Sequence, residues 1–150
     1  IIIGHESITA KYPNTSGIAV HPSEKYIVGA FELEFFGGVH APIAEGIVTP
    51  PNFGVLIDGS LYYPGDSFTI PESAGEPRAI KTLALPISAP WLDFARTRDF
   101  LAAINPVFTF PTHDGILSED GKRLAEQMVG GFAQSKGITY KRLDGETVEL

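Results

Sequence analysis

Asp58-Gly59 sits between two short runs of strand-forming residues, Phe53 to Ile57 and Ser60 to Tyr63. That dipeptide is among the strongest short-range hairpin signals, because both turn positions need positive φ. The stretch from Asn52 to Ser67 is therefore expected to bring two antiparallel strands together at the centre of the fold. Its second strand runs into Pro64-Gly65-Asp66-Ser67. Pro64 cannot donate to a ladder and Gly65 frees the backbone, so Asp66 is presented from a strand end, as a ligand or catalytic group or as a carboxylate capping its own loop.

The flanking chain repeats this pattern. Tyr26 to Val28 and Phe31 to Phe36 form a second strand pair about Gly29-Ala30, with Phe31, Leu33 and Phe35 on one face and Glu32 and Glu34 on the other. The strand closes in Gly37-Gly38-Val39-His40, which leaves His40 in a loosened loop, as a hydrogen-bonded loop residue or a ligand. A proline-rich loop from Ala41 to Pro51 follows, of a length that often lines a site. Val107 to Pro111 is a strand ending in Thr112-His113-Asp114-Gly115. A titratable side chain thus follows a strand end three times.

Ile1 to Ile3 begins as an apolar strand candidate, and with no initiator methionine it is expected to be a cut edge. His5 and His21 lie at turns and read as surface or capping residues. Phe68 to Arg78 reads as an exposed loop. Ile80 to Ile87 reads as a strand buried on both faces, and Ser88 to Asn105 as a helix with Pro90 in its first turn and Trp91 either packed in the core or projecting into a pocket. A second helix is expected from Ser118 to about Ser135, with Leu124, Met128 and Phe132 inward. Ile138 to Arg142 and Thr147 to Leu150 read as a last hairpin about Asp144-Gly145. Strand, helix, strand, helix, strand from Ile80 onward gives an α/β layer with a parallel component.

Composition narrows the function classes. The 150 residues are enough for one domain with a real core, and they contain no cysteine, which removes disulfides, thiolate ligands and a cysteine nucleophile. A net charge of −7 without a basic cluster argues against nucleic acid or an anionic membrane surface as the main partner. No apolar run is long enough to span a bilayer. A soluble, cytoplasmic protein acting on a small-molecule substrate is expected.

Two imidazoles and a carboxylate suit zinc, manganese or iron, and a metal so held turns water into a nucleophile near neutral pH. The sequence resembles the C-terminal half of a metallo-β-lactamase-fold hydrolase, in the branch similar to L-ascorbate-6-phosphate lactonase. The resemblance is carried by Gly37 to His40, by Asn52 to Ser67 with its Gly65-Asp66-Ser67 step, by Leu83-Ala84-Leu85-Pro86-Ile87, and by Asn105 to His113 with Pro111-Thr112-His113. It implies an α/β fold, half of an αββα sandwich with a mixed sheet and flanking helices. It further implies that His40 binds a first metal, Asp66 bridges two and serves catalysis, and His113 binds the second.

The family's upstream His-x-His-x-Asp-His motif is absent, and none of the histidines at 5, 21, 40 and 113 is spaced to replace it. Each metal would then fall short of the usual protein ligand number. The expectation is a metal-dependent hydrolase of esters, lactones, phosphodiesters or amides, with a bridging hydroxide as nucleophile and the site completed by a missing N-terminal half. Standing alone, the chain would cover its open sheet with a second copy as a homodimer. The alternative is a non-catalytic domain serving as a dimerisation or small-ligand-binding module. Asp114 beside His113 is expected either to orient an imidazole or to cap its loop.

Overall fold

The computed structural model describes residues 1–148. The chain opens with β1 (Ile2–Gly4), a single turn α1 (Glu6–Thr9) and β2 (Gly17–Ala19), and the two strands pair in parallel as a small separate sheet. Then come β3 (Lys25–Val28), β4 (Phe31–Gly37), β5 (Phe53–Ile57) and β6 (Leu61–Tyr63), each antiparallel to the next. A protruding ribbon, β7 (Glu72–Ser73) and β8 (Glu76–Pro77), precedes β9 (Thr82–Pro86), α2 (Phe94–Ile104) and β10 (Phe108–Thr112). The last elements are α3 (Glu119–Ala125), a π-turn over Glu126–Gly130, α4 (Gly131–Ser135) and β11 (Thr139–Tyr140). The main sheet has seven strands in the order β11-β10-β9-β6-β5-β4-β3. β6, β9, β10 and β11 run in parallel, so an antiparallel meander joins a parallel half.

The central hairpin forms as expected. Asp58 and Gly59 have φ of 49° and 62°, and Ser60 N–H donates to Ile57 O at 3.0 Å. The turn is also tied sideways: Asp58 Oδ1 accepts from Glu32 N at 2.8 Å, and Asp58 N–H donates to Glu32 O at 2.9 Å. A fixed turn fixes the register, here Val55 opposite Tyr63 and Leu56 opposite Tyr62.

Strand parity divides the sheet. Phe36, Leu56, Tyr62, Leu83 and Leu85 face the helices and pack on Phe100, Leu101, Ile104, Val129 and Ala133 in one core. The opposite face carries Leu33, Val55, Ile57, Leu61, Phe108 and Phe110, all only partly buried, and Phe31 at its edge is 56% exposed. β9 is buried along its whole length, as a strand covered on both faces must be. Glu34, expected on an open polar face, is instead buried against Arg78 at 3.1 Å and Lys25 at 3.4 Å. No helix among the described residues is long and apolar enough to cross a membrane.

Several expected boundaries move. α2 starts at Phe94 rather than Ser88, because Asp93 caps it by accepting from Arg96 N at 2.8 Å, so Pro90 and Trp91 fall in a non-helical segment ahead of it. The inward row of the last helical run is Ala125, Val129 and Ala133, while Leu124 and Met128 are 57% and 40% exposed. Small residues face inward because this run lies close to β11: a Cβ on Gly130 would stand 3.2 Å from the Tyr140 ring. The segment from 68 to 78 is exposed only in its ribbon, since Tyr62 O–H donates to Thr69 O at 2.8 Å and draws Phe68 and Ile70 onto the core. The last hairpin is replaced by the short parallel strand β11. The Asp144-Gly145 turn is present, but Thr147 and Val148 are not strand, and Glu149 and Leu150 lie outside the described residues. At this point the Arg142 guanidinium turns inward to Asp114 and to Glu126.

Candidate metal centre

Three strand ends deliver the three expected side chains to one place. β4 leads through Gly37 and Gly38, with φ of 85° and 104°, into the loop that carries His40. Both glycines are needed for backbone, and at Gly37 a Cβ would also meet Thr69 Oγ1 at 2.7 Å. Ala41 N–H then donates to Asp66 O at 2.8 Å, which joins the His40 loop to the end of β6. β10 delivers His113 in the left-handed region at φ 62°, an unusual conformation for a residue with a Cβ and one found more often at functional sites.

Asn52 holds the Asp66 loop. Its Oδ1 accepts from Asp66 N at 2.8 Å and its Nδ2 donates to Pro64 O at 2.8 Å, so one side chain grips the loop on both sides of Gly65. A Cβ at Gly65 would stand 2.4 Å from Asn52 Oδ1, so this grip requires glycine there. Ser67 Oγ closes the loop by donating to Pro64 O at 3.1 Å.

The Asp66 carboxylate is the meeting point. His40 Nε2 lies 3.8 Å from Oδ2, His113 Nδ1 lies 3.4 Å from Oδ1, and Trp91 Nε1–H donates to Oδ1 at 3.1 Å. Each imidazole is held by its other nitrogen: His40 Nδ1 is 2.5 Å from Ala41 O, and His113 Nε2 is 3.2 Å from the Tyr63 hydroxyl. Burial, aided by the Asp66 charge, holds the Tyr63 phenol above its usual range, so it stays a neutral partner. The cleft above the carboxylate measures about 450 Å³ and is walled by Ile43, Pro90, Trp91 and Ile116.

A histidine that binds a metal ordinarily has its second ring nitrogen hydrogen-bonded to a carbonyl, carboxylate or water. Both imidazoles are oriented this way, with a nitrogen of each directed at one carboxylate, and imidazole with carboxylate is a donor chemistry that zinc, manganese and iron accept. Among the described residues no group of three or more His, Cys, Asp or Glu side chains forms a ligand set sufficient to hold a metal ion. Further donors would have to come from outside these residues.

Trp91 meets both of its readings, since at 5% exposure it is buried and it also lines the cleft and hydrogen-bonds Asp66. Asp114 neither orients an imidazole nor caps its own loop by its side chain, because its carboxylate is taken by Arg142. His5 caps α1 and His21 lies in an exposed turn, both apart from the centre. The sequence reading missed Asn52 and Tyr63 as supports. Their only sequence signal is position, Asn52 directly before β5 and Tyr63 as the last residue of β6.

No family model matches the sequence, and no curated protein does. Solved structures do share its fold. Igni18, a metallo hydrolase from Ignicoccus hospitalis, superposes with a TM-score of 0.61 at 16% identity, over 93% of this chain and 64% of that one. CmlA, a diiron β-hydroxylase from Streptomyces venezuelae, gives 0.62 at 12%, over 91% and 35%. The metallo-β-lactamase fold protein YhfI from Bacillus subtilis gives 0.54 at 21%, over 85% and 56%. The mixed sheet with its helices has the metallo-β-lactamase fold, and the chain spans less than two thirds of the length of each of these structures.

Proposed function

We propose that this chain carries the downstream half of the metal site of a metal-dependent hydrolase, with His40, Asp66 and His113 as ligands and zinc as the metal. The observation that carries this reading is that both imidazoles are clamped by one nitrogen and turn the other toward the same carboxylate. When bound, a divalent metal supplies Lewis acidity: it polarises an ester, lactone, phosphodiester or amide oxygen and lowers the pKa of water. The chain's own residues do the rest. Trp91 pins one oxygen of Asp66, which leaves Oδ2 toward His40, and Tyr63 and the Ala41 carbonyl fix the imidazole orientations. Pro90, Trp91 and Ile116 narrow the cleft around a small substrate.

The remaining ligands come from a missing N-terminal half or from a second copy of the chain. Either would cover the half-open sheet face. That same face favours the second reading, a non-catalytic dimerisation or small-ligand-binding module, because Phe31 at 56% exposure and Val28 at 37% stand beside Leu33 on it. Zinc affinity separates the two. Tyr63→Phe removes only the hydroxyl on His113, and loss of such a partner weakens metal binding by about 10–100-fold. Titration against a chromophoric chelator is expected to show at least a tenfold weaker zinc affinity in Tyr63→Phe with an unchanged melting temperature. Equal affinity in variant and parent contradicts the metal reading.

A further inference from the structure

The non-helical segment 88–93 borders two neighbouring cavities. On one side Ser88, Ala89, Pro90 and Trp91 line the Asp66 cleft; on the other Ser88, Ala89 and Leu92 line a groove of about 280 Å³ between the start of α2 and the α3–π-turn run. Cleft and groove therefore meet over Ser88 and Ala89. The far wall of the groove is Leu117, Leu124 and Met128. Among the described residues that line it none is charged, and the hydroxyl of Thr97 is already donated to Asp93 O at 2.9 Å. Leu124 and Met128 stay 57% and 40% exposed because Ala125 and Val129 take the inward positions.

We propose that this groove binds the uncharged aliphatic tail of the substrate whose reacting group sits at Asp66. The inference rests on the hydrolase reading above and narrows it, from any small ester, lactone, phosphodiester or amide to one with an alkyl or acyl chain. The occupant follows from adjacency: the groove is uncharged and borders the cleft along Ser88 and Ala89, so a molecule with its polar head at the carboxylate can lay its tail past Ala89 toward Met128. A sugar phosphate would leave its hydroxyls without partners against Leu92, Leu117 and Leu124, which carries a cost for every unsatisfied group.

Trp91 is the sole tryptophan and forms a wall of the cleft, so intrinsic fluorescence reports occupancy of that cleft without a label. The test is titration of the metal-free chain with straight-chain methyl esters from butanoate to octanoate. Burial of each added methylene is expected to tighten Kd by about threefold to fourfold. Met128→Glu, at an exposed position that does not support the fold, is expected to flatten the series, and Leu124→Glu to do the same as an independent variant. A Kd independent of chain length, or an unchanged slope in both variants, overturns the tail site. A self-association seen by sedimentation that Met128→Glu abolishes, together with a flat series, would assign the groove to a second copy and overturns it as well. Zinc uptake is measured on separate samples of the same proteins: its loss counts against the Asp66 reading, and a flat ester series counts against the tail site.

Discussion

Replacing Asp66 with Asn is expected to abolish zinc binding while leaving the fold intact. The carboxylate is the single group on which both imidazoles converge, at 3.4 and 3.8 Å, so losing its charge removes the common anchor and not an accessory contact. The loss should exceed the roughly 10–100-fold that follows from removing a supporting hydrogen bond. Stability should hardly change. The side chain is 43% exposed, and the backbone bonds to Asn52 and Ala41 do not involve it. An Asn oxygen can still accept from Trp91 Nε1. Asp66→Ala cannot offer that oxygen, and the buried indole N–H would lose its partner at a cost of about 1–3 kcal/mol. The two variants are thus expected to match in zinc binding and differ in melting temperature. Full zinc uptake by Asp66→Asn sinks the assignment.

The largest loss of stability is expected from a glycine. Gly54 lies opposite Phe36 in β5, and a Cβ there would stand 2.2 Å from the Tyr62 hydroxyl oxygen and 2.8 Å from the carbon that bears it. Tyr62 cannot retreat. It is 0% exposed, packed edge-on against Phe36, and its hydroxyl is held by Thr69 O at 2.8 Å. Gly54→Ala should therefore cost about 3 kcal/mol or more, the upper end for overpacking a core. Tyr62→Phe alone should cost about 1 kcal/mol for the part-buried hydrogen bond to Thr69 O that it removes. In combination the nearest clashing atom is gone, so the double variant is expected to be more stable than the sum of the two losses allows, by about 0.5–3 kcal/mol. Denaturant unfolding of the four proteins measures this, and simple additivity would show that the Tyr62 hydroxyl does not set the limit.

Much of the fold was legible because it is written in local chemistry. Asp58-Gly59 demands a tight turn whatever surrounds it, and the strand ends at Gly37-Gly38 and Pro64-Gly65 are marked by residues that cannot continue a ladder. Those ends put His40 and Asp66, and Pro111-Thr112 put His113, just beyond strand ends, where the structure has them. The supports of the site were not legible because they depend on tertiary position. Asn52 acts on residues 12 and 14 positions away, Tyr63 on one 50 positions away, and Trp91 on Asp66 across 25. No local pattern marks such pairings. In the helical run after Ser118, Phe132 packs on the core as expected while Leu124 and Met128 do not, for a different reason. Leu124 and Met128 are the larger apolar side chains, but the short distance to Tyr140 selects alanine, valine and glycine for the inward side. Bulk pointed outward, into the groove. Asp114 shows the same limit, since Arg142, 28 residues on, claims it ahead of its neighbour His113.

X-ray absorption at the zinc edge of the zinc-loaded protein tests the centre most directly. A first shell of nitrogen and oxygen at about 2.0–2.1 Å is expected, with outer-shell imidazole scattering that falls by about half in His40→Ala. Zinc without imidazole scattering, or the same scattering in His40→Ala as in the parent, would contradict the assignment.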